Sequence, residues 1–143
     1  MSELNKIALK ILSNGKGILA ADESNGTMTK RLEAVKIQSI PENRLAFRET
    51  LFNSECMKDC IGGVILYDET INQMSNSGKS IPELISASGA VPGIKVDTGA
   101  KNLANSPEEK ITEGLDGLRE RLKKYYELGA RFTKWRGVYS ISN

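Results

Sequence analysis

Four short apolar segments alternate with segments of helical periodicity along this chain, and the alternation limits the folds it can adopt. We predict strands over residues 17–21, 61–67, 93–97 and 132–138. The second segment, IGGVILY, is apolar along its whole length, which is typical of a strand that is covered on both faces. Strands separated by helices form parallel βαβ units, so we predict an α/β protein with a parallel sheet.

The segments between the strands carry helix signals. Apolar residues at helical spacing predict a first helix that ends at Asn14-Gly15. Ser80 and Glu83 form a capping-box sequence. Ser106, followed by a proline and a glutamate, predicts the start of a long final helix. The predicted helices cover residues 2–13, 27–36, 42–53, 69–75, 81–87 and 106–128.

Charged side chains collect at the carboxyl ends of the predicted strands. Because side chains alternate along a strand, one face of each strand carries its charged residues to the same end of the sheet. These residues are Asp22, Lys95, Lys134 and Arg136. Trp135 falls on the opposite face and is predicted to pack in the core or between the barrel and a helix. A doubly wound open sheet gathers its polar residues at one switch point, whereas a (β/α) barrel collects them from many strands, so the barrel is favoured.

An acid and several cations at one rim suit the binding of a phosphorylated substrate. Cations gathered in a small volume attract phosphate and lower one another's proton affinity, so that a lysine can act as a nucleophile or as an acid/base. An ionised aspartate beside them can move protons. Simpler interpretations stay open for each residue alone, since a strand lysine is more often a solvent-exposed charge and Asp22 can cap the following helix.

The composition indicates one globular domain, residues 1–143, without a nucleic-acid or membrane partner. Hydrophobic residues make up 39% and charged residues 27%, and the net charge is +2. The densest basic run, residues 119–124, is interrupted by Glu120 and Leu122, unlike a nucleic-acid-binding stripe. No apolar run approaches the ~18 residues that span a bilayer, and the N-terminus lacks the apolar core of a signal peptide. We expect a cytoplasmic protein.

The cysteine and histidine content limits metal chemistry. The chain has two cysteines, Cys56 and Cys60, and no histidine, whereas a structural zinc site needs four ligands. We expect two reduced thiols, with a redox pair as the alternative, and no metal site. His-based triads are also excluded, so any chemistry rests on Lys, Asp, Glu, Tyr, Ser or Cys.

The words GILAADES, KRL, ENR, CIGGVIL, ET, GIKVD, GLDGL and KWR occur in this order along the chain. Their wording and spacing resemble the N-terminal part of class I fructose-bisphosphate aldolase, from about Asn5 to Val138. The resemblance implies a (β/α)8 TIM barrel, a homotetramer, and an enzyme of glycolysis that needs no metal or other cofactor. It also implies reversible cleavage of a sugar-phosphate substrate, fructose 1,6-bisphosphate, into dihydroxyacetone phosphate and glyceraldehyde 3-phosphate through a Schiff base on a lysine.

The same resemblance implies roles for individual residues. Asp22 matches an aspartate that works near the reacting carbons, and Lys134 matches the lysine beside the Schiff-base lysine, where it assists proton transfer. Five further residues match positions that bind phosphate or substrate: Ser24, Thr27, Arg31, Lys95 and Arg136. Thr27 stands where the family commonly has a serine.

The departures from the family pattern bear on activity. The resemblance implies a Schiff-base lysine on a sixth strand and a catalytic glutamate on a fifth, and neither strand is among the four predicted here. Tyr67-Asp68 replaces the Phe-His that is common after the second strand. We therefore expect the chain to be the N-terminal half of an aldolase barrel, inactive alone. The alternatives are a non-catalytic phosphate-binding or self-associating half-barrel module, and another Schiff-base aldolase with a related barrel.

Overall fold

A computed structural model describes residues 1–141 of the chain. Its main feature is a four-stranded parallel sheet in the order β1-β2-β3-β6, with a separate antiparallel pair formed by β4 and β5. The strands are β1 Gly17–Ala21, β2 Ile61–Leu66, β3 Val91–Lys95, β4 Gly99–Leu103, β5 Ser106–Glu113 and β6 Phe132–Lys134. The helices are α1 Glu3–Leu12, α2 Asn25–Ala34, α3 Pro41–Phe52, α4 Met57–Cys60, α5 Asp68–Ile71, α6 Ile81–Ala87 and α7 Leu118–Glu127.

The parallel α/β class predicted from the sequence is confirmed, with small shifts of the strand ends. β1 has the predicted bounds, whereas β3 begins and ends two residues before the predicted segment. β6 ends at Lys134, so Arg136 lies in the irregular segment that follows the strand. The side chains of Asp22 and Lys134 meet although β1 and β6 are the two edges of the sheet. A flat sheet would separate these strands by about 14 Å, so the contact reflects a sheet curled into part of a barrel.

Serine side chains begin three of the helices. Ser2 accepts a hydrogen bond from the backbone N–H of Asn5 at the start of α1, and Ser24 caps α2 in the same way. Ser80 and Glu83 form the predicted capping box of α6. Each cap satisfies a backbone donor that the helix would otherwise leave without a partner.

Helix α1 lies against the N-terminal ends of the strands, at the end opposite the charged rim. A Cβ atom built on Gly62 would stand 1.8 Å from the carbonyl oxygen of Ile11, so the backbones of β2 and α1 are in direct contact. The ring of Phe132 lies over Gly93, where an added Cβ would be 2.4 Å from the ring. Glycine at both positions therefore permits close packing that any side chain would obstruct.

The predicted long helix from Ser106 to Leu128 is wrong in its first half. Residues 99–113 form an antiparallel hairpin, β4 with β5, and helix α7 begins only at Leu118. Asn105 at the hairpin turn has φ 61°, and glycines with positive φ stand at both hairpin ends, Gly99 and Gly114. The backbone N–H of Thr98 also donates to the carbonyl of Glu113. Ladder hydrogen bonds and left-handed turn residues thus override the local helix-start signal.

A hydrophobic core fills the space between the parallel sheet and the helices. Its most buried members include Ala21, Val64, Leu66, Ile71, Ile81, Ile85, Ile94 and Tyr125. Trp135 was predicted to pack in the core or between the barrel and a helix, and it is instead 38% exposed. It follows the last residue of β6, at a sheet edge that no strand among residues 1–141 covers.

A short helix, α4, carries both cysteines of the chain near its ends. The short helix α4 was missed by the sequence prediction because four residues carry too little periodicity to detect. Cys56 and Cys60 lie at its ends as exposed thiols that form no disulfide. None of the helices within residues 1–141 has the length and apolar character needed to cross a membrane.

Candidate functional site

The carboxyl ends of the parallel strands open into a cavity of about 880 Å³. It lies between the loops that follow β1, β2, β3 and β6 and the adjoining face of α7. Every site residue predicted from the sequence lines this cavity: Asp22, Ser24, Thr27, Arg31, Lys95, Lys134 and Arg136. The geometric expectation that charged groups from distant segments gather at one rim is therefore met.

The central contact of the rim joins Asp22 and Lys134. The Lys134 Nζ donates to the Asp22 Oδ2 at 2.7 Å, across 112 residues of sequence. The Asp22 carboxylate is largely buried, while the side chain of Lys134 stays about one-third exposed. The alternative position of Asp22 as a helix cap is not adopted, because Ser24 caps α2. The pair therefore presents an acidic and a basic group to the same face of the cavity.

A second ion pair stands beside the first. The Lys95 Nζ donates to the Asp97 Oδ1 at 2.6 Å and to the Asp97 carbonyl at 2.7 Å. The backbone N–H of Arg136 donates to the other carboxylate oxygen of Asp97 at 3.2 Å. Burial opposes ionisation, yet these hydrogen bonds and the charges of Lys95 and Lys134 hold the pKa of Asp97 below its ordinary value. Asp97 is a buried anion that orients Lys95 and links it to β6.

The beginning of helix α2 supplies hydroxyl groups to the cavity. The Ser24 Oγ accepts from the backbone N–H of Thr27 at 3.4 Å and lies 3.2 Å from the Thr27 Oγ1. Arg31, one turn further along α2, forms an ion pair with Glu23. Hydroxyls and backbone N–H groups at a helix N-terminus favour a bound anion.

The charge balance of the cavity lining is positive. Six cationic side chains stand against four carboxylates, an excess of two. The cations are Arg31, Lys95, Arg121, Lys124, Lys134 and Arg136, and the carboxylates are Asp22, Glu23, Asp68 and Asp97. Such a lining attracts a ligand that carries negative charge, and phosphate is one of the anions that arginine and lysine bind through charge-assisted hydrogen bonds.

Asp68 and Tyr125 form a rim contact that sequence reasoning missed. The Tyr125 hydroxyl donates to the Asp68 Oδ1 at 2.8 Å, which ties helix α7 to the residue after β2. Burial and this hydrogen bond raise the pKa of Tyr125, so the phenol stays a proton donor well above neutral pH. The unusual Tyr67-Asp68 dipeptide was visible in the sequence, but its partner 57 residues away was not.

Two buried arginines of α3 lie behind the rim. Arg44 forms a bidentate pair with Glu69, with distances of 2.8 Å and 2.5 Å. The hydrogen bond from Arg44 lowers the pKa of Glu69 and outweighs the effect of burial. Arg48 donates hydrogen bonds to Ala21 and Glu23 at the end of β1 and to Thr70, and not to Glu69. Neither arginine was singled out from the sequence, although Arg44 is the last residue of the ENR word.

The arrangement can bind a phosphorylated ligand and transfer protons. Lys95, Arg136 and the start of α2 offer cations and N–H or O–H donors, while Asp22 and Lys134 offer an acid and a base in contact. Residues 1–141 hold no group of three or more Cys, Asp or Glu side chains with the geometry of a metal site.

Comparison with known proteins gives consistent matches. A family profile described as fructose-bisphosphate aldolase class-I matches residues 3–143. A probable fructose-bisphosphate aldolase class 1 of Xylella fastidiosa is 50% identical over 143 residues, which is 100% of this chain and 43% of the relative. Fructose-bisphosphate aldolase 6, cytosolic, of Arabidopsis thaliana is 49% identical over 139 residues, which is 97% of this chain and 39% of that protein.

A solved structure agrees in fold as well as in sequence. It is the fructose-bisphosphate aldolase from Plasmodium falciparum in a ternary complex with TRAP and a small-molecule inhibitor. The match has a TM-score of 0.89 at 46% identity, and it covers 94% of this chain and 39% of that one. The present chain thus spans less than half the length of the relatives that it matches.

Proposed function

Because this chain belongs to the class I fructose-bisphosphate aldolase family, we propose that its rim serves the reversible cleavage of fructose 1,6-bisphosphate. The products are dihydroxyacetone phosphate and glyceraldehyde 3-phosphate, as the family resemblance implies. The observation that carries the proposal is the contact between Asp22 and Lys134 inside a cavity with excess positive charge. A bisphosphate is an anion that such a lining attracts.

Asp22 and Lys134 are the proposed catalytic pair. An aspartate in contact with an ammonium can accept and return a proton at the reacting carbons of the sugar. Lys134, in contact with that aspartate, stabilises developing negative charge and assists the proton transfer. The 2.7 Å hydrogen bond between them supports this pairing of roles.

The proposed phosphate contacts come from two sides of the cavity. Ser24, Thr27 and Arg31 approach from the start of α2. Lys95 and Arg136 approach from the ends of β3 and β6, where Asp97 links them. Cations and hydroxyls from separate elements would hold the substrate in one orientation, which is the main requirement for efficient attack at its carbonyl.

We further propose that residues 1–143 form the N-terminal half of one aldolase barrel domain. The resemblance places the Schiff-base lysine on a sixth strand, and the parallel sheet described here has four strands. The 143-residue polypeptide should therefore bind sugar phosphates without cleaving them. The chemistry requires no metal or other cofactor, because a protonated Schiff base on lysine serves as the electron sink.

Calorimetry of the 143-residue chain with fructose 1,6-bisphosphate tests the binding proposal. Lys95→Met should weaken binding about tenfold or more, because it removes a cation from the cavity. Lys101→Met is the matched control, since it removes the same charge from an exposed position on β4 outside the cavity. Equal affinities for the two variants would contradict the proposed site. Titrations with monophosphate sugars separate this substrate from those of other Schiff-base aldolases.

Borohydride trapping tests the second part of the proposal. Incubation of the 143-residue chain with dihydroxyacetone phosphate and borohydride, followed by mass spectrometry, should give no covalent adduct. A stable adduct at Lys134 or Lys95 would show that a rim lysine forms the Schiff base itself. In that case the division of roles between this segment and a sixth strand would be wrong.

A second candidate function is that of a self-associating, non-catalytic module. Within residues 1–141, β1 and β6 are open edges of the parallel sheet, and Ile18 and Trp135 are exposed beside them. Open edges and apolar surface favour pairing with another chain. We propose a cytoplasmic homo-oligomer, a homotetramer in the complete family members. Sedimentation of a folded monomer at high concentration would contradict self-association.

A further inference from the structure

The largest fully buried side chain in the described part of the chain is an arginine. Arg48 lies in the middle of α3, with 0% of its surface exposed. A buried guanidinium is unfavourable unless its donors are satisfied, and here all three of its nitrogens donate hydrogen bonds. The positions of its acceptors indicate what this arrangement achieves.

Two of the acceptors are the carbonyls on either side of Asp22. The Arg48 Nε donates to the Ala21 carbonyl at 3.0 Å, and the Arg48 Nη2 donates to the Glu23 carbonyl at 2.5 Å. The guanidinium is planar and rigid, so it fixes the direction of both carbonyls together. Asp22 lies between them, and the orientation of its side chain is set by this stretch of backbone.

The remaining contacts anchor the guanidinium from other sides. The Arg48 Nη1 donates to the Thr70 Oγ1 at 2.8 Å, which connects it to helix α5 after β2. The Glu23 Oε2 lies 3.8 Å from the Arg48 Nη2 and provides a compensating charge. Burial lowers the pKa of Arg48, and the charges of Glu23 and Glu69 oppose that effect. The ends of β1 and β2 are thus joined through one side chain.

We propose that Arg48 is a positioning residue that holds the Asp22 carboxylate in contact with Lys134. Its catalytic significance rests on the proposed function, whereas the contact itself does not. Asp22 and Lys134 come from opposite edges of the sheet and meet at 2.7 Å, so a small rotation of the loop after β1 separates them. The two hydrogen bonds from Arg48 to the carbonyls of Ala21 and Glu23, here called the Arg48 fork, prevent that rotation.

Lysine at position 48 would keep the charge and lose the fork. An ammonium donates all its hydrogen bonds from one nitrogen at the end of a shorter side chain. It therefore cannot hold two carbonyls and a hydroxyl in fixed directions. Arg44 offers a matched control, because it lies one turn earlier on the same helix and is also buried. Its hydrogen bonds go to Glu69 and Ser39, not to the loop that carries Asp22.

The test measures how readily the Lys134 amine reacts with isotopically labelled acetic anhydride. Peptide mass spectrometry gives its labelling rate relative to exposed Lys101 in the same molecule. Asp22→Asn should raise the relative rate about fivefold, because it removes a partly exposed ion pair, and it sets the scale. Arg48→Lys should raise the rate by at least half of that factor, since the carboxylate no longer meets the amine. Arg44→Lys should leave the rate unchanged.

Folding is checked by circular dichroism before labelling. If Arg48→Lys does not fold, Thr70→Val replaces it, because this substitution keeps the side-chain shape and removes one anchor of the guanidinium. Thr70→Val should raise Lys134 labelling in the same direction, and Thr70→Ser should not. A folded Arg48→Lys or Thr70→Val variant with wild-type labelling would overturn the proposal. The assay uses no sugar phosphate, so failure of fructose 1,6-bisphosphate to bind leaves its outcome unaffected.

Discussion

Replacing Gly62 by alanine should separate helix α1 from the sheet. The added Cβ would lie 1.8 Å from the Ile11 carbonyl oxygen, and an ordinary carbon–oxygen contact is about 3.3 Å. The backbone of α1 must therefore retreat by about 1.5 Å at its C-terminal end. Because the obstacle is backbone and not a flexible side chain, rotamer changes cannot relieve it.

The expected loss in the free energy of unfolding has two contributions. Overpacking a closely packed site costs about 1–3 kcal/mol. Partial exposure of Ile11, which is 6% exposed in the native protein, adds about 1 kcal/mol. We expect a loss of about 2–4 kcal/mol in the free energy of unfolding, which corresponds to a Tm lower by roughly 10 °C for a chain of this size.

Urea denaturation followed by circular dichroism and by Trp135 fluorescence measures this loss. Gly26→Ala is the matched control, because Gly26 lies in the first turn of α2 and has no atom within 4 Å of an added Cβ. That substitution should stabilise the protein by about 0.5–1 kcal/mol, since alanine favours the helix. A Gly62→Ala variant as stable as wild type would refute the backbone contact between β2 and α1.

Three further predictions concern titratable groups. The pKa of Asp97 is lower in the folded state than its ordinary value of 3.8, so its stabilising contribution is lost as the pH falls through the folded-state pKa. Asp97→Asn should flatten the fall in Tm below about pH 4, and an unchanged slope would contradict this. The pKa of Tyr125 is raised above 10.0, so its contribution is present below that pH and lost as the pH rises through the folded-state value. Tyr125→Phe should reduce the alkaline loss of stability in the same melting assay. Cys56 and Cys60 are exposed, so Ellman's reagent should titrate both thiols without denaturant; a thiol that reacts only after unfolding would contradict their exposure.

The parallel strands were predictable because their signals are local. A segment such as IGGVILY is apolar throughout, and burial on both faces of a parallel sheet demands that pattern. A short apolar run marked β1, and the Ser80–Glu83 capping box marked α6. β3 lies two residues before its predicted position and β6 ends four residues early, because the ladder hydrogen bonds and not the side-chain pattern set the strand ends.

The hairpin was unpredictable for the opposite reason. Residues 106–113 are mostly polar and exposed, so neither face of β5 shows the alternation of a half-buried strand. Their pairing with β4 depends on backbone hydrogen bonds and on the turn at Asn105. A serine and a proline at the start of this segment favour a helix only when nothing pairs with the backbone.

For the site residues, the position on the rim was predictable from the sequence, and the hydrogen-bond partner was not. Strand alternation brought Asp22, Lys95 and Lys134 to one rim correctly, because strand ends are fixed by the sheet. The partner of each group was not readable from the sequence. Lys95 pairs with Asp97, and the fork of Arg48 around Asp22 depends on where α3 packs. Such contacts follow from tertiary packing between segments that carry no joint signal in one sequence.

The ion pair between Asp22 and Lys134 has a consequence for biosynthesis. Its two halves are 112 positions apart, so the ribosome completes the aspartate long before the lysine. At translation rates of about 5–20 residues per second, roughly 6–22 s pass between the addition of Asp22 and the addition of Lys134. Throughout that interval the rim lacks this ion pair, so the contact between the two edges of the sheet forms only after β6 has been synthesised.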